Sequence, residues 1–168
     1  NIFFKYMLHL RKLGVQILNE ASKIVFLSKT YRDVVIQNYV PDKLRDDIQK
    51  KSEVIPNGID EFWLQNIMHP RKLGDSGVKL LYVGVINKNK NITTTVRAAE
   101  MLNNEGVNTS VTIVGKVQDK AVFKRIIKHS FVNYKLPCSK EELIDIYRSS
   151  DIFVMPSLRE TFGLVYAE

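Results

Sequence analysis

The sequence predicts an α/β protein built on a parallel sheet with flanking helices. Three observations carry this expectation. From residue 78 onward, short apolar runs alternate with helix-like segments, the order that parallel strands joined by crossovers require. The runs are continuous rather than alternating, as in strands covered on both faces. Each run closes on a glycine or a proline: Gly84, Gly115, Pro137 and Pro156. Ligands of such sheets bind at the carboxyl ends of the strands, near the switch in strand order.

The elements read in order as follows. Ile2 to Asn19 mixes apolar residues with Lys5, Arg11 and Lys12 at helical spacing, so it reads as a helix packed on something. Ile24 to Leu27 is a β-branched strand, and Lys29 to Tyr39 a helix ended by Val40-Pro41. Asp42 to Ser52 reads as a charged connector, Val54-Ile55 as a very short strand and Pro56-Asn57-Gly58 as a turn. His69 to Gly77 holds Pro70, Gly74 and Gly77 and reads as a loop. Then come a strand over Val78–Val83 and a helix over Asn91–Asn104 with Ala98, Ala99 and Leu102 inward. A strand over Val111–Val114, a helix over Asp119–His129 and a strand over Phe131–Leu136 follow. Ser139-Lys140-Glu141-Glu142 is a capping box opening a helix through Ser149, and Asp151 to Met155 is the last strand.

Composition narrows the function. The 168 residues are 45% hydrophobic and 26% charged, which fits a globular chain and excludes a disordered or disulfide-rich one. The single cysteine, Cys138, excludes an internal disulfide and a Cys-rich zinc site, and His9, His69 and His129 lack metal-ligand spacing. No apolar run reaches the ~20 residues a membrane span needs, and the N-terminus lacks a signal-peptide pattern. The expected setting is cytoplasmic. A formal charge of +7 favours anionic partners, although the charges are spread along the chain.

Two segments carry candidate chemistry. After the strand ending at Gly84 comes Val85-Ile86-Asn87-Lys88-Asn89-Lys90-Asn91, with two lysines ahead of a helix N-terminus. The residues alone fit either a phosphate loop or a polar, solvated turn; they match neither a Walker loop nor GxGxxG. After the last strand comes Pro156-Ser157-Leu158-Arg159-Glu160-Thr161-Phe162-Gly163-Leu164-Val165-Tyr166-Ala167-Glu168. A helix starting near Thr161 turns the free N–H groups of Phe162, Gly163 and Leu164 toward the strand ends, an anion site with Glu160 beside it. The alternative is a capping box of Ser157 and Glu160, with Glu168 a solvated helix residue.

Together these stretches resemble the retaining glycosyltransferases of family 4, also called group 1, whose GT-B architecture has two Rossmann-like domains. The match runs through Glu20–Ser28, Val54-Ile55-Pro56-Asn57-Gly58-Ile59-Asp60, Leu80–Asn91 and Asp151–Glu168, the last with its Glu-x7-Glu pattern intact. The resemblance implies that residues 1–60 hold the last elements of an acceptor-side domain and an interdomain linker. It implies that residues 61–168 form a donor-binding Rossmann-like domain that is incomplete, so the sequence reads as a fragment that does not transfer sugar by itself. It assigns Lys90 to the donor diphosphate, Glu160 to the donor sugar and Glu168 to the ribose. Thr161, Phe162, Gly163 and Leu164 go to sugar or phosphate, Gly84 to the donor loop, and Leu136 and Pro137 to the base. The implied substrates are a nucleotide-sugar, UDP- or GDP-linked, and a glycan or lipid-linked acceptor in cell-surface polysaccharide assembly. No cofactor and no metal is expected, since Asp-x-Asp is absent. Where the family has an arginine after the donor-loop glycine this chain has Val85, so Lys88 or Arg159 is the candidate replacement.

Rival readings are a catalytically inactive nucleotide-binding or scaffold module of the same fold, a nucleotide-sugar epimerase, an NAD enzyme and a nucleic-acid binder using Lys120, Lys124, Arg125 and Lys128. The last is disfavoured because no base-stacking aromatics interleave with those cations. Ile2 to Leu18 is apolar and basic: it packs on the remainder of a longer chain or touches the inner face of a membrane. Ile24 to Leu27 is expected to lack its neighbours, lying exposed or pairing with another copy. Asn91-Ile92-Thr93 and Asn108-Thr109-Ser110 fit the glycosylation sequon, and Cys138 reads as a loop thiol.

Overall fold

The computed structural model describes residues 2–67, 77–160 and 165. The chain divides into two compact units, Asn1–Ile59 and Asp60–Glu168. The expected loop at His69–Gly77, but for Gly77, and the expected helix opening near Thr161 lie outside the described residues.

The first unit contains α1 (Ile2–Glu20), β1 (Ile24–Phe26), α2 (Lys29–Tyr39), α3 (Asp42–Lys50) and β2 (Ser52–Val54). Its core is Ile24, Phe26, Ile36, Val40 and Ile48. The strand at Ile24 does not lack a neighbour: β1 pairs in parallel with β2, Ile24 opposite Ser52. Ser28 opens α2, its hydroxyl accepting from Tyr31 N at 3.2 Å. The predicted charged connector is instead a helix. Leu44 and Ile48 lie four residues apart, so both fall on one face of α3 and reach the core, and Ile48 is fully buried. Asp42 in its first turn and Lys50 in its last agree with the helix dipole.

The second unit contains α4 (Glu61–Gln65), β3 (Val78–Val83), α5 (Ile92–Asn104), β4 (Thr109–Val114), α6 (Lys120–Ile126), β5 (Val132–Lys135), α7 (Lys140–Ser149) and β6 (Ile152–Phe153). The sheet has strand order β5-β4-β3-β6, all parallel. The chain steps outward from β3 to β5, then α7 carries it back to the far side of β3. The switch point therefore lies between β3 and β6. β3 buries three consecutive side chains, Leu80, Leu81 and Tyr82, as a two-sided strand must. β6 is shorter than the predicted five residues, although bonds from Asp151 N to Lys79 O and from Val154 N to Leu81 O, each 2.8 Å, extend its pairing.

In α5 the buried residues are Ile92, Thr95, Val96 and Ala99, a helical stripe that leaves Ala98 exposed, against expectation, and Leu102 half-buried. α6 stops at Ile126, before the predicted His129. α7 carries the predicted capping box between Ser139 and Glu142. The short α4 was not anticipated. Asp60 caps it, accepting from Phe62 N at 2.9 Å, and also pairs with Lys140 of α7. Trp63 is buried with its ring edge-on to Tyr147, 6.1 Å between centroids.

Just past β3 and β4 the backbones converge. Gly84 N donates to Val114 O at 2.9 Å, and a Cβ on Gly115 would lie 1.9 Å from Gly84 O. Gly115 also has φ +151°, which L side chains rarely adopt. Both constraints act on Gly115→Ala, which is expected to destabilise the second unit by about 3 kcal/mol. Urea unfolding followed by the fluorescence of Trp63, the chain's one tryptophan, measures it.

Candidate active site

The loops after β3 and β6 leave the sheet side by side at the switch point, and polar bonds join them. Leu158 N donates to Asn89 O at 2.8 Å, and Asn89 Nδ2 returns a bond to Arg159 O at 2.9 Å. Asn91 Nδ2 donates to Pro156 O at 3.2 Å. Asn87 shapes the loop after β3 from within, its Oδ1 accepting from Lys90 N at 3.0 Å. Asn91, at φ +52°, ends the loop in a left-handed conformation that asparagine tolerates, and α5 starts from it.

This frame places Lys90 Nζ 2.6 Å from Glu160 Oε1. The two side chains are 18% and 23% exposed, so the pair is screened less than an ordinary surface bridge. The Lys90 ammonium, then the Ser157 hydroxyl, hold the Glu160 carboxyl below the usual carboxylate range, against a smaller opposing effect of burial. Ser157 Oγ is itself buried without a hydrogen bond of good geometry. The arrangement offers a cation for an anionic group and a carboxylate for hydroxyl donors, side by side at the strand ends.

Beneath the loop lies Tyr82, fully buried, its hydroxyl donating to Val85 O at 2.7 Å. Tyr82 fixes the backbone at the position where the resembled family carries arginine. Its pKa is pushed strongly upward, first by burial and then by the Glu160 charge. Sequence reasoning placed Tyr82 only within a strand. It took Asn87 and Asn89 as loop residues and Asn91 as the start of a helix, although asparagines interleaved with lysines are residues that bond neighbouring backbone.

The structure brings Gly84, Lys90 and Glu160 to one strand-end face. Lys88 is exposed, close enough to Asp119 to help lower that carboxyl's pKa, after the backbone N–H bonds that dominate. Arg159 is exposed, and its carbonyl rather than its guanidinium joins the loop contact. Leu136 and Pro137 sit at the end of β5, lining an open cavity of about 590 Å³ with Cys138, Asp145 and Ile146. Two strand spacings, about 10 Å, separate β5 from β3 in the sheet. Thr161, Phe162, Gly163, Leu164 and Glu168 lie outside the described residues. Lys120, Lys124, Arg125 and Lys128 are exposed on and just after α6, whose Phe123 packs inward on Tyr134. Among the described residues no group of three or more His, Cys, Asp or Glu side chains could hold a metal, and no helix is long and apolar enough to cross a membrane.

The fold is an open parallel α/β sheet with a polar cluster at its switch point, the place where such sheets take up ligands. Residues 65–168 match the family model described as glycosyl transferases group 1, and the chain belongs to that family. Among curated relatives, a D-inositol 3-phosphate glycosyltransferase of Arthrobacter sp. (strain FB24) is 32% identical over 129 residues, 69% of this chain and 31% of that protein. One of the same name from Paenarthrobacter aurescens (strain TC1) is 27% identical, over 94% of this chain and 41% of that protein. The chain thus spans well under half the length of these relatives. Among solved structures, Anabaena Alr3699/HepE in complex with UDP and glucose superposes with a TM-score of 0.65 at 14% identity, over 92% of this chain and 44% of that one. The pneumococcal O-GlcNAc transferase GtfA in complex with UDP and GlcNAc gives 0.60 at 16% identity, over 89% and 29%. At these identities the structures establish a shared fold.

Tyr82→Phe deletes the bond to Val85 O and is expected to lower stability by about 1–2 kcal/mol. A phenol whose folded pKa is raised contributes stability that is complete below its unfolded value of 10.0 and is lost as the pH rises beyond it. Urea midpoints compared at pH 8 and above pH 10 therefore show a smaller alkaline loss in Tyr82→Phe than in the wild type.

Proposed function

We propose that this chain is the donor-binding part of a glycosyltransferase. The enzyme moves a sugar from a UDP- or GDP-linked donor to a glycan or lipid-linked acceptor, with retention of configuration. The observation that carries the reading is the Lys90–Glu160 pair at the switch point of a chain of this family. UDP is the first candidate nucleotide, because it is named with two of the superposing structures. An inositol phosphate is a second candidate acceptor, from the names of the curated relatives. Residues 1–60 are read as the end of the acceptor-side domain with its linker, the rest of the parent chain being its partner. A cytoplasmic setting, at most peripheral to the inner face of the membrane, and a part in surface polysaccharide assembly complete the proposal.

Each described residue then has a task. Lys90 meets the diphosphate, and its charge opposes the negative charge that grows on the leaving group as the glycosidic bond breaks. Glu160 accepts hydrogen bonds from sugar hydroxyls and orients the ring. Leu136 and Pro137 offer an apolar rim for the base. In this reading Lys90 and the positive end of the expected helix near Thr161 carry the charge that other transferases place on a metal. The inactive scaffold remains the second reading, on one observation: Val85 stands where the family carries a phosphate-binding arginine.

Calorimetric titration of the full-length protein with UDP, GDP and ADP separates the two. One nucleotide is expected to bind, and Lys90→Ala to weaken it by about tenfold or more, the worth of one charge-assisted bond. Binding that ignores Lys90→Ala would remove the donor site from this loop, and no binding at all would favour the scaffold.

A further inference from the structure

We propose that Glu160 makes the site discriminate an intact nucleotide-sugar from a bare nucleoside diphosphate, by competing with the diphosphate for Lys90. This deepens the donor-site reading above and rests on it. Its starting point is that the two groups given to different parts of the donor, the cation to diphosphate and the carboxylate to sugar, are bonded to each other at 2.6 Å. Each side chain is less than a quarter exposed.

A diphosphate that engages Lys90 takes the ammonium from Glu160 or shares it. A partly buried carboxylate is then left beside added negative charge, where repulsion is stronger than in water. The neutral Ser157 hydroxyl beside it eases that charge but does not replace the lost cation. A sugar on the diphosphate changes the outcome. Its hydroxyls are donors, and a carboxylate accepts at both oxygens. The intact donor therefore supplies Glu160 with new partners for the one it removes, and the bare diphosphate supplies none.

The surrounding structure lets the pair open locally. The bonds from Leu158, Asn89 and Asn91 across the two loops, and from Lys90 N to Asn87 Oδ1, all involve atoms outside the pair. The loops stay joined while Lys90 changes partner. After transfer, the departing sugar leaves the diphosphate facing an unpartnered carboxylate, and renewed Lys90–Glu160 pairing favours product release. Glu160 would thus act twice, on the sugar in the donor complex and on the cation in the product complex.

The test uses the full-length protein as wild type, Glu160→Gln and Glu160→Ala, the last covering a Gln side chain that re-forms a bond to Lys90. Each is titrated with UDP, GDP and ADP and with UDP-glucose, GDP-mannose and ADP-glucose. Both variants are expected to bind the preferred nucleoside diphosphate about tenfold more tightly than wild type, while the matching nucleotide-sugar binds no more tightly. In a Lys90→Ala background the gain from Glu160→Gln is expected to shrink, because no cation remains to compete for and only the repulsion between carboxylate and diphosphate is relieved. Equal or weaker diphosphate binding in both variants overturns the proposal, and so does a gain that persists undiminished without Lys90. Failure of all six ligands to bind any variant overturns the donor-site reading itself, a different result from altered discrimination.

Discussion

The position of β6 is the constraint on which the candidate site depends. Neighbouring parallel strands lie about 4.8 Å apart. When α7 returns the chain to the far side of β3, the loops that follow β3 and β6 must leave the sheet in contact. That contact is topological and would arise with many sequences. This sequence converts it into a fixed geometry. Gly115 lets the two backbones close up beside Gly84, Tyr82 holds Val85 from below, and the asparagines take up the carbonyls that a loop junction would otherwise leave unmet. Lys90 and Glu160, 70 residues apart in sequence, meet because of this order of events.

The regular part of the fold was legible because its signals are local. Val78–Val83 is apolar but for Lys79, and the strand occupies those same residues. The capping box at Ser139 announces α7 in four residues. Where the reading failed, the decisive contact was tertiary. α3 has two apolar residues among seven charged or polar ones, and only their four-residue spacing betrays a buried face. α4 is too short for periodicity and exists through the packing of Trp63 on Tyr147.

The site divides in the same way. Lys90 and Glu160 could be singled out from their motifs, each in its own loop. Their bond could not, since it depends on which side of β3 the last strand takes, and apolar runs carry no such information. Tyr82 was hidden by its double role: the ring belongs to the core, and the hydroxyl belongs to the loop. A tyrosine next to last in an apolar strand, two residues before a glycine, is the pattern that would have exposed it.

Asn91 carries a last consequence. Its side-chain amide donates to Pro156 O, its carbonyl oxygen accepts from Thr94 Oγ1 at 3.0 Å, and its backbone starts α5. The same amide nitrogen is the attachment atom of the Asn91-Ile92-Thr93 sequon. A glycosidic bond there would use one of the two N–H groups of that amide and leave the other for the Pro156 carbonyl. The added bulk would bear on the junction of the two loops, so a change at this single atom would act on the frame that brings Lys90 to Glu160.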